Sequence, residues 1–179
     1  MYLIGHVLTA LSEYDDATET SKDPLLGAPK LTPTVLDGGD TTNRVPEQCQ
    51  LTVDRRSVPP ETSDGFRASL EAYLTDRFPE RSVDVELLRA DTPFPDPFVT
   101  DSDAAIVDAL QAASGGGVRA FEAATEASYF AAHAPTVVFG PGVLADDDGA
   151  VAHGSREYVH LSAVRAAADA VTTALRTLY

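Results

Sequence analysis

At 179 residues the chain is long enough for one domain or two small ones, each with a core of its own. It carries 28 Asp plus Glu against 13 Lys plus Arg, a formal net charge of -15, and such a surface repels nucleic acid and anionic membrane. Neither is expected as a partner.

No apolar run approaches the roughly 18 residues that span a bilayer, and the start, "MYLIGHVLTAL", has no basic leader or small-residue cleavage site. The expected location is the cytoplasm. Only Lys22 and Lys30 are lysines, and acid enrichment with scarce lysine resembles proteins of extreme halophiles, whose carboxylate shells stay hydrated in concentrated salt. The single cysteine, Cys49, excludes an intramolecular disulfide or a multi-cysteine metal site. The alternation of "CQLTVD" predicts a buried strand thiol.

In chain order, Leu3, Ile4, Val7, Leu8 and Leu11 form one face of an amphipathic helix over residues 3–14, with no capping signal before it. A polar loop with "KDPLLGAP" follows. "KLTPTVLDGG" and "EQCQLTVDRR" alternate with period two and are expected to pair antiparallel across a turn bearing Gly and Asn. "PPETSDGFRASLEAYLTDRF" starts a helix after Pro60 with Glu61 in its first turn and Phe66, Leu70, Tyr73 and Leu74 at helical spacing. "SVDVELLRA" alternates again, as a strand. The sum is an α+β layer, an antiparallel sheet with helices on one face.

Proline-dense "DTPFPDPFVT" predicts a boundary, giving domains 1–93 and 94–179. Beyond it, "DSDAAIVDALQAAS" reads as a helix, "GVRAFEA" as a short strand and "EASYFAA" as a short helix. "APTVVFG" reads as a buried strand and "HLSAVRAAADAVTTALRTL" as a long closing helix. That alternation is the α/β pattern with a parallel sheet, although two strands are too few for a stable sheet core.

Candidate chemistry gathers after "TVVFGPG". A Gly-Pro-Gly turn after a buried strand lies where ligands bind in open α/β folds, and it is also an ordinary turn. His153 follows in the same loop, with Glu157 four residues on. By pattern alone, a lone histidine is more often a surface or core residue than a ligand. His133 and His160 flank predicted helices and read as structural or exposed.

"TVVFGPG", then "AHGSREYV" and a long Ala/Leu helix, closely resemble the C-terminal signature of the zinc metallopeptidase family of acetylornithine deacetylase, succinyl-diaminopimelate desuccinylase, aminoacylase and glutamate carboxypeptidase. Upstream, "DPLLGAPKLTPTVLDGGDTTNRVPEQCQLTVDRRSVPPET" is similar to that family's lid, or dimerisation, domain, with its Gly-Gly strand, Asn-x-Val-Pro turn and Asp-x-Arg strand. "ATEASYFA" looks like the segment that usually reads Thr-Asp-Ala-x-x-Phe. Overall the resemblance implies an α/β chain: an α+β lid lacking its first strand, then the C-terminal portion of an α/β catalytic domain.

By that resemblance His153 matches a ligand of one of two zinc ions, with cobalt as an alternative metal. Asn43 matches an asparagine that reaches substrate across a dimer, and Arg56 the arginine suited to a substrate carboxylate. Thr125 falls in the substrate-contacting loop, where Glu126 replaces the usual aspartate. The bland readings stand beside these: Asn43 as a turn residue, Arg56 paired with Asp54, Thr125 as an N-cap.

The family's other metal ligands, bridging aspartate and general-base glutamate belong to a half not found in this sequence, so the chain carries no catalytic residue of its own. Met1 is expected to fall inside the lid's first helix. The resemblance implies a metal-dependent hydrolase of N-acyl amino acids or short peptides, a homodimer through its lid, inactive as this chain alone and a weak binder of zinc. The alternative is a non-catalytic dimerisation or binding remnant of such an enzyme.

Overall fold

The computed structural model describes residues 2–89, 92 and 94–179. They divide into two compact units, Met1–Phe98 and Val99–Tyr179.

The first unit opens with helix α1, Tyr2–Ala17. Strands β1, Lys30–Asp37, and β2, Gln50–Arg56, then pair antiparallel, with Leu31 opposite Arg55 and Pro33 opposite Val53. A register shift between Pro33 and Val35 breaks the ladder. Proline has no N–H to give a second neighbour, which suits β1 to a sheet edge.

Helix α2 spans Ser63–Arg77 and is capped by Thr62, whose hydroxyl accepts from the Gly65 amide at 3.1 Å. The cap corrects the expected start: Glu61 lies before the helix and turns back to β2. Alternation along β2 sends Leu51, Val53 and Arg55 to one face, and both helices cover that face. Ala10, Leu11 and Tyr14 of α1 and Leu70 and Leu74 of α2 form the buried cluster, flanked by Leu31, Leu51 and Val53. Tyr14 stands edge-on to Phe66 and Tyr73, at 5.8 Å and 5.3 Å between centroids.

Arg55 sits inside this layer, with a side chain 3% exposed. Its guanidinium donates to Asp15 of α1 at 2.7 Å and 3.0 Å and to Glu61 at 2.9 Å and 2.6 Å, and it lies 4.6 Å over the Phe66 ring. One planar fork thus ties helix, strand and the entry to α2. Burial opposes its charge, but the hydrogen bonds and charges of Glu61 and Asp15 outweigh burial and raise its pKa above the ordinary value.

Two further expectations for this unit change. Cys49 is exposed, because β2 begins one residue later at Gln50. Its Cβ approaches so closely that a Cβ on Gly38 would lie 2.6 Å away, so a glycine is required there. The stretch expected as a third strand keeps its alternation, with Val83, Val85 and Leu87 half-buried and Asp84 and Glu86 exposed, but forms no ladder among the described residues. Val83 and Val85 pack on the same cluster as β2 without reaching a strand partner. Its last residue, Ala90, and the expected boundary at Pro93 lie outside the described residues.

In the second unit, helices α3, Ala105–Ser114, and α5, Leu161–Leu178, pack together, burying Val107, Ala109, Ala170 and Ala174. Small alanines allow close approach of the two backbones. A short helix α4, Ala127–Ala131, and a two-residue hairpin of β3, Ala145–Asp146, and β4, Gly149–Ala150, lie between them in sequence. The strands expected in "GVRAFEA" and "APTVVFG" do not form, nor does a parallel sheet, among the described residues. Val118, Phe121, Val138 and Phe139 are exposed instead of buried. A buried strand needs ladder partners on its edges, and none of the described segments supplies them.

Two stability measurements check the first unit. Arg55→Ala leaves Asp15 and Glu61 facing a half-buried gap and is expected to cost about 3 kcal/mol in denaturant unfolding, whereas Arg56→Ala, at an exposed pair, shifts stability by less than about 1 kcal/mol. Burial raises the pKa of the Tyr14 hydroxyl above its ordinary 10.0, outweighing the opposing effects of Ser69 and Arg55. With the folded pKa raised, that contribution is whole below pH 10 and is lost as pH climbs through the folded value. Stability followed above pH about 10 should therefore fall less steeply in Tyr14→Phe than in the parent.

Candidate functional site

The four candidate residues divide between the units: Asn43 and Arg56 in the first, Thr125 and His153 in the second. Asn43 lies in an exposed turn of the β1–β2 connection. Arg56 ends β2 opposite Lys30, at the far end of the hairpin, roughly 20 Å along a strand of this length. Its guanidinium donates to Asp54 at 2.8 Å, with both side chains largely exposed. The hairpin thus does not bring Asn43 and Arg56 together.

Thr125 precedes α4, and its hydroxyl accepts from the Ala127 amide at 3.4 Å, a loose turn contact at the helix start. One turn on, Ser128 Oγ is buried without a hydrogen-bond partner among the described residues. Sequence reading passes over Ser128, because a serine in an alanine-rich helix gives no signal of burial. A buried hydroxyl without a partner costs about 1–3 kcal/mol and is a natural contact for an added polar group.

His153 is the most constrained of the four. Its φ of 59° is left-handed, a region sparsely used by non-glycine residues although more by histidine than most. Several contacts around it hold the turn. Val151 is buried, and its amide and that of Ala152 donate to the Leu144 carbonyl at 3.0 Å and 3.1 Å. Glu157 accepts from the His153 amide at 3.2 Å, and Glu157 donates its own amide to the Gly154 carbonyl. Gly154 runs so close to the preceding chain that a Cβ there would stand 3.0 Å from the Ala150 carbonyl oxygen.

A second tether closes the loop from outside. Arg156 forks onto Asp146 and also donates to the Gly149 carbonyl at 3.2 Å, while the Tyr158 hydroxyl donates to Asp146 at 3.2 Å. The Arg156 guanidinium holds the Asp146 carboxyl below its ordinary pKa, and Asp146 raises that of Arg156. Tyr158 stands edge-on to His160, which caps α5 through its backbone. His133 is exposed at the end of α4.

The imidazole of His153 is exposed. Among the described residues no group of three or more His, Cys, Asp or Glu side chains converges in a way that could hold a metal ion. Two acids of the same loop, Glu157 and Asp146, are engaged with the His153 amide and with Arg156. Stable zinc centres use three or four protein ligands, so these residues do not fit a zinc ion by themselves. What the loop does is carry one exposed imidazole on a held backbone.

Residues 1–82 match the peptidase dimerisation domain family. The match falls within the first unit, with its two helices on one face of an antiparallel sheet. The chain is also 27% identical over 143 residues to an acetylornithine deacetylase of Edwardsiella ictaluri, a match covering 79% of this chain and 36% of that protein. The two findings point the same way: the chain is similar to M20 peptidases, and over residues 1–82 to their dimerisation domain. The chain thus spans about a third of the length of this curated relative. No described helix is long and apolar enough to cross a membrane.

The Asp146–Arg156 tether has a pH signature. Because the folded pKa of Asp146 is lowered, its contribution is present above the ordinary carboxylate value and is lost as pH falls through the folded one. Protection of the His153 amide, its exchange taken relative to the intrinsic rate at each pH, should thus hold at neutral pH and fall in acid, and Asp146→Asn should lower it at neutral pH as well.

Proposed function

We propose that this chain is the C-terminal portion of a metal-dependent hydrolase that cleaves an N-acyl amide or peptide bond, of the deacetylase, desuccinylase or carboxypeptidase type. The observation that carries the reading is the extent of the similarity. At 143 residues it outruns the 82 residues of the lid match and continues into the second unit, so it is not the likeness of a lid alone.

On this reading, residues 1–93 are a lid that pairs two copies into a homodimer, and residues 94–179 complete a catalytic domain begun elsewhere. His153 is one zinc ligand of the finished centre, and the loop's fixed backbone supports it by limiting where the imidazole points. Arg56 exchanges Asp54 for a substrate carboxylate, Asn43 reaches substrate from the partner's side, and Thr125 contacts substrate beside α4. The remaining metal ligands and the general base are supplied by the other half, and the working enzyme resides in the cytoplasm.

A complementation experiment tests it. The 179-residue chain is mixed with the upstream half of the Edwardsiella ictaluri relative, loaded with zinc, and assayed against a panel of N-acetyl amino acids that includes N-acetylornithine. No turnover is expected from the chain alone, and measurable turnover from the mixture. His153→Ala in the mixture should lower activity by about 100-fold or more, while the lid's folding is unchanged. A mixture without metal-dependent activity rejects the proposal in favour of a non-catalytic dimerising remnant. Turnover by the pure chain rejects the division of labour.

A further inference from the structure

The outer face of the β1–β2 hairpin carries an unusual pairing of charges. Lys30 stands directly opposite Arg56, with Thr32 opposite Asp54 beside them. Residues opposed in this way send their side chains to one face, with Cβ atoms about 5 Å apart. The intervening pair, Leu31 and Arg55, turns to the helix layer, where Leu31 flanks the buried cluster and Arg55 is buried. Lys30, Asp54 and Arg56 therefore share the opposite, exposed face.

Like charges set opposite each other weaken a sheet, and here they meet in a chain with 28 acids against 13 bases. One acid lies within the group: Asp54 accepts from Arg56 Nε at 2.8 Å. Lys30 has no ion pair among the described residues. A single carboxylate placed on Arg56 leaves that second cation unmatched. Lys30 is a compact point charge and Arg56 a planar fork, so the two suit two separate carboxylates of one small molecule. An ammonium group in place of the second carboxylate meets repulsion from Lys30 instead.

We propose that Lys30 is a specificity-determining residue, and that the Lys30–Arg56 pair selects N-acyl amino acids with an acidic side chain over those with a neutral or cationic one. The proposal rests on the reading in which Arg56 takes a substrate carboxylate, and it adds the class of side chain. The substrate lies across the two strands, its α-carboxylate on the Arg56 fork and its side-chain carboxylate on the Lys30 ammonium. N-acetylornithine, which carries an ammonium where the second carboxylate would be, is disfavoured.

Two probes that differ in one carboxylate, N-acetylglutamate and N-acetylglutamine, test it on the full chain by NMR titration, read at the Arg56 side-chain Nε–H and the Lys30 amide. N-acetylglutamate should bind about two- to fivefold tighter, and the preference should shrink as salt shortens the screening length. Lys30→Gln should abolish the preference and leave N-acetylglutamine binding unchanged, while Lys30→Arg keeps it. Lys30 is exposed and unpaired among the described residues, so neither change threatens the fold. Lys22→Gln, an exposed change before β1, should leave the preference intact. Equal binding of both probes by the parent overturns the proposal. So does a preference lowered as much by Lys22→Gln as by Lys30→Gln, since net charge alone then accounts for it. In the zinc-loaded complementation mixture, Lys30→Gln should bring kcat/KM for the two probes together. An active mixture whose preference ignores Lys30→Gln overturns the role of Lys30 alone, whereas a mixture silent toward every substrate overturns the hydrolase reading and leaves the titration to decide Lys30.

Discussion

The first unit depends on a buried cation. Arg55 enters the layer between sheet and helices at a position where alternation calls for an apolar residue, and it is accommodated because two carboxylates and two aromatic faces meet it there. Asp15 comes from the last turn of α1 and Glu61 from the approach to α2, so the guanidinium fixes both helices against β2 at once. Removing such a charge from water costs several kcal/mol and is repaid only by good geometry, which the two-sided fork supplies. The pair therefore acts more as a constraint on relative position than as a reservoir of stability. Glu61 turns back to β2 just before the Thr62 cap, and the Tyr14 and Phe66 rings meet beneath the guanidinium.

The alternation that marks β2 as a strand also assigns Arg55 inward and Arg56 outward. In a strand that presents Leu51 and Val53 to the core, the next odd residue must follow them, so the buried arginine was legible. The family pattern drew attention to its exposed neighbour instead. Helices were legible throughout, since an amphipathic period needs no partner to declare itself. Strands were legible only where a partner exists. Residues 82–88, 117–123 and 134–140 each carry the composition of a strand, but ladder formation is a property of two segments, and no local pattern reveals whether the second is present. The backbone of His153 was not legible either. A left-handed histidine is set by the tethers around it, through Glu157, Gly154 and the Asp146–Arg156 fork, and these meet only in three dimensions.

The two units differ in how complete they are. The first has a buried cluster drawn from two helices and two strands, with a third extended segment already lying against it. The second buries mainly one helix pair and Val151, and it leaves Val118, Phe121, Phe130 and Phe139 exposed. Apolar side chains on segments of strand-like composition are surfaces shaped for burial against something, and they agree with a chain spanning about a third of its matched relative. The loop of His153 is nevertheless held by its own contacts, so the backbone that carries its imidazole is fixed locally, even where the surrounding layer is thin.

Gly38 and Cys49 show a further consequence of the hairpin's close pairing. The glycine leaves room for the cysteine, and the cysteine stands exposed at the threshold of β2. It is also the one thiol in the sequence. A single maleimide dye attached to the untouched protein would therefore report from one known place, the start of β2, with no engineered residue needed.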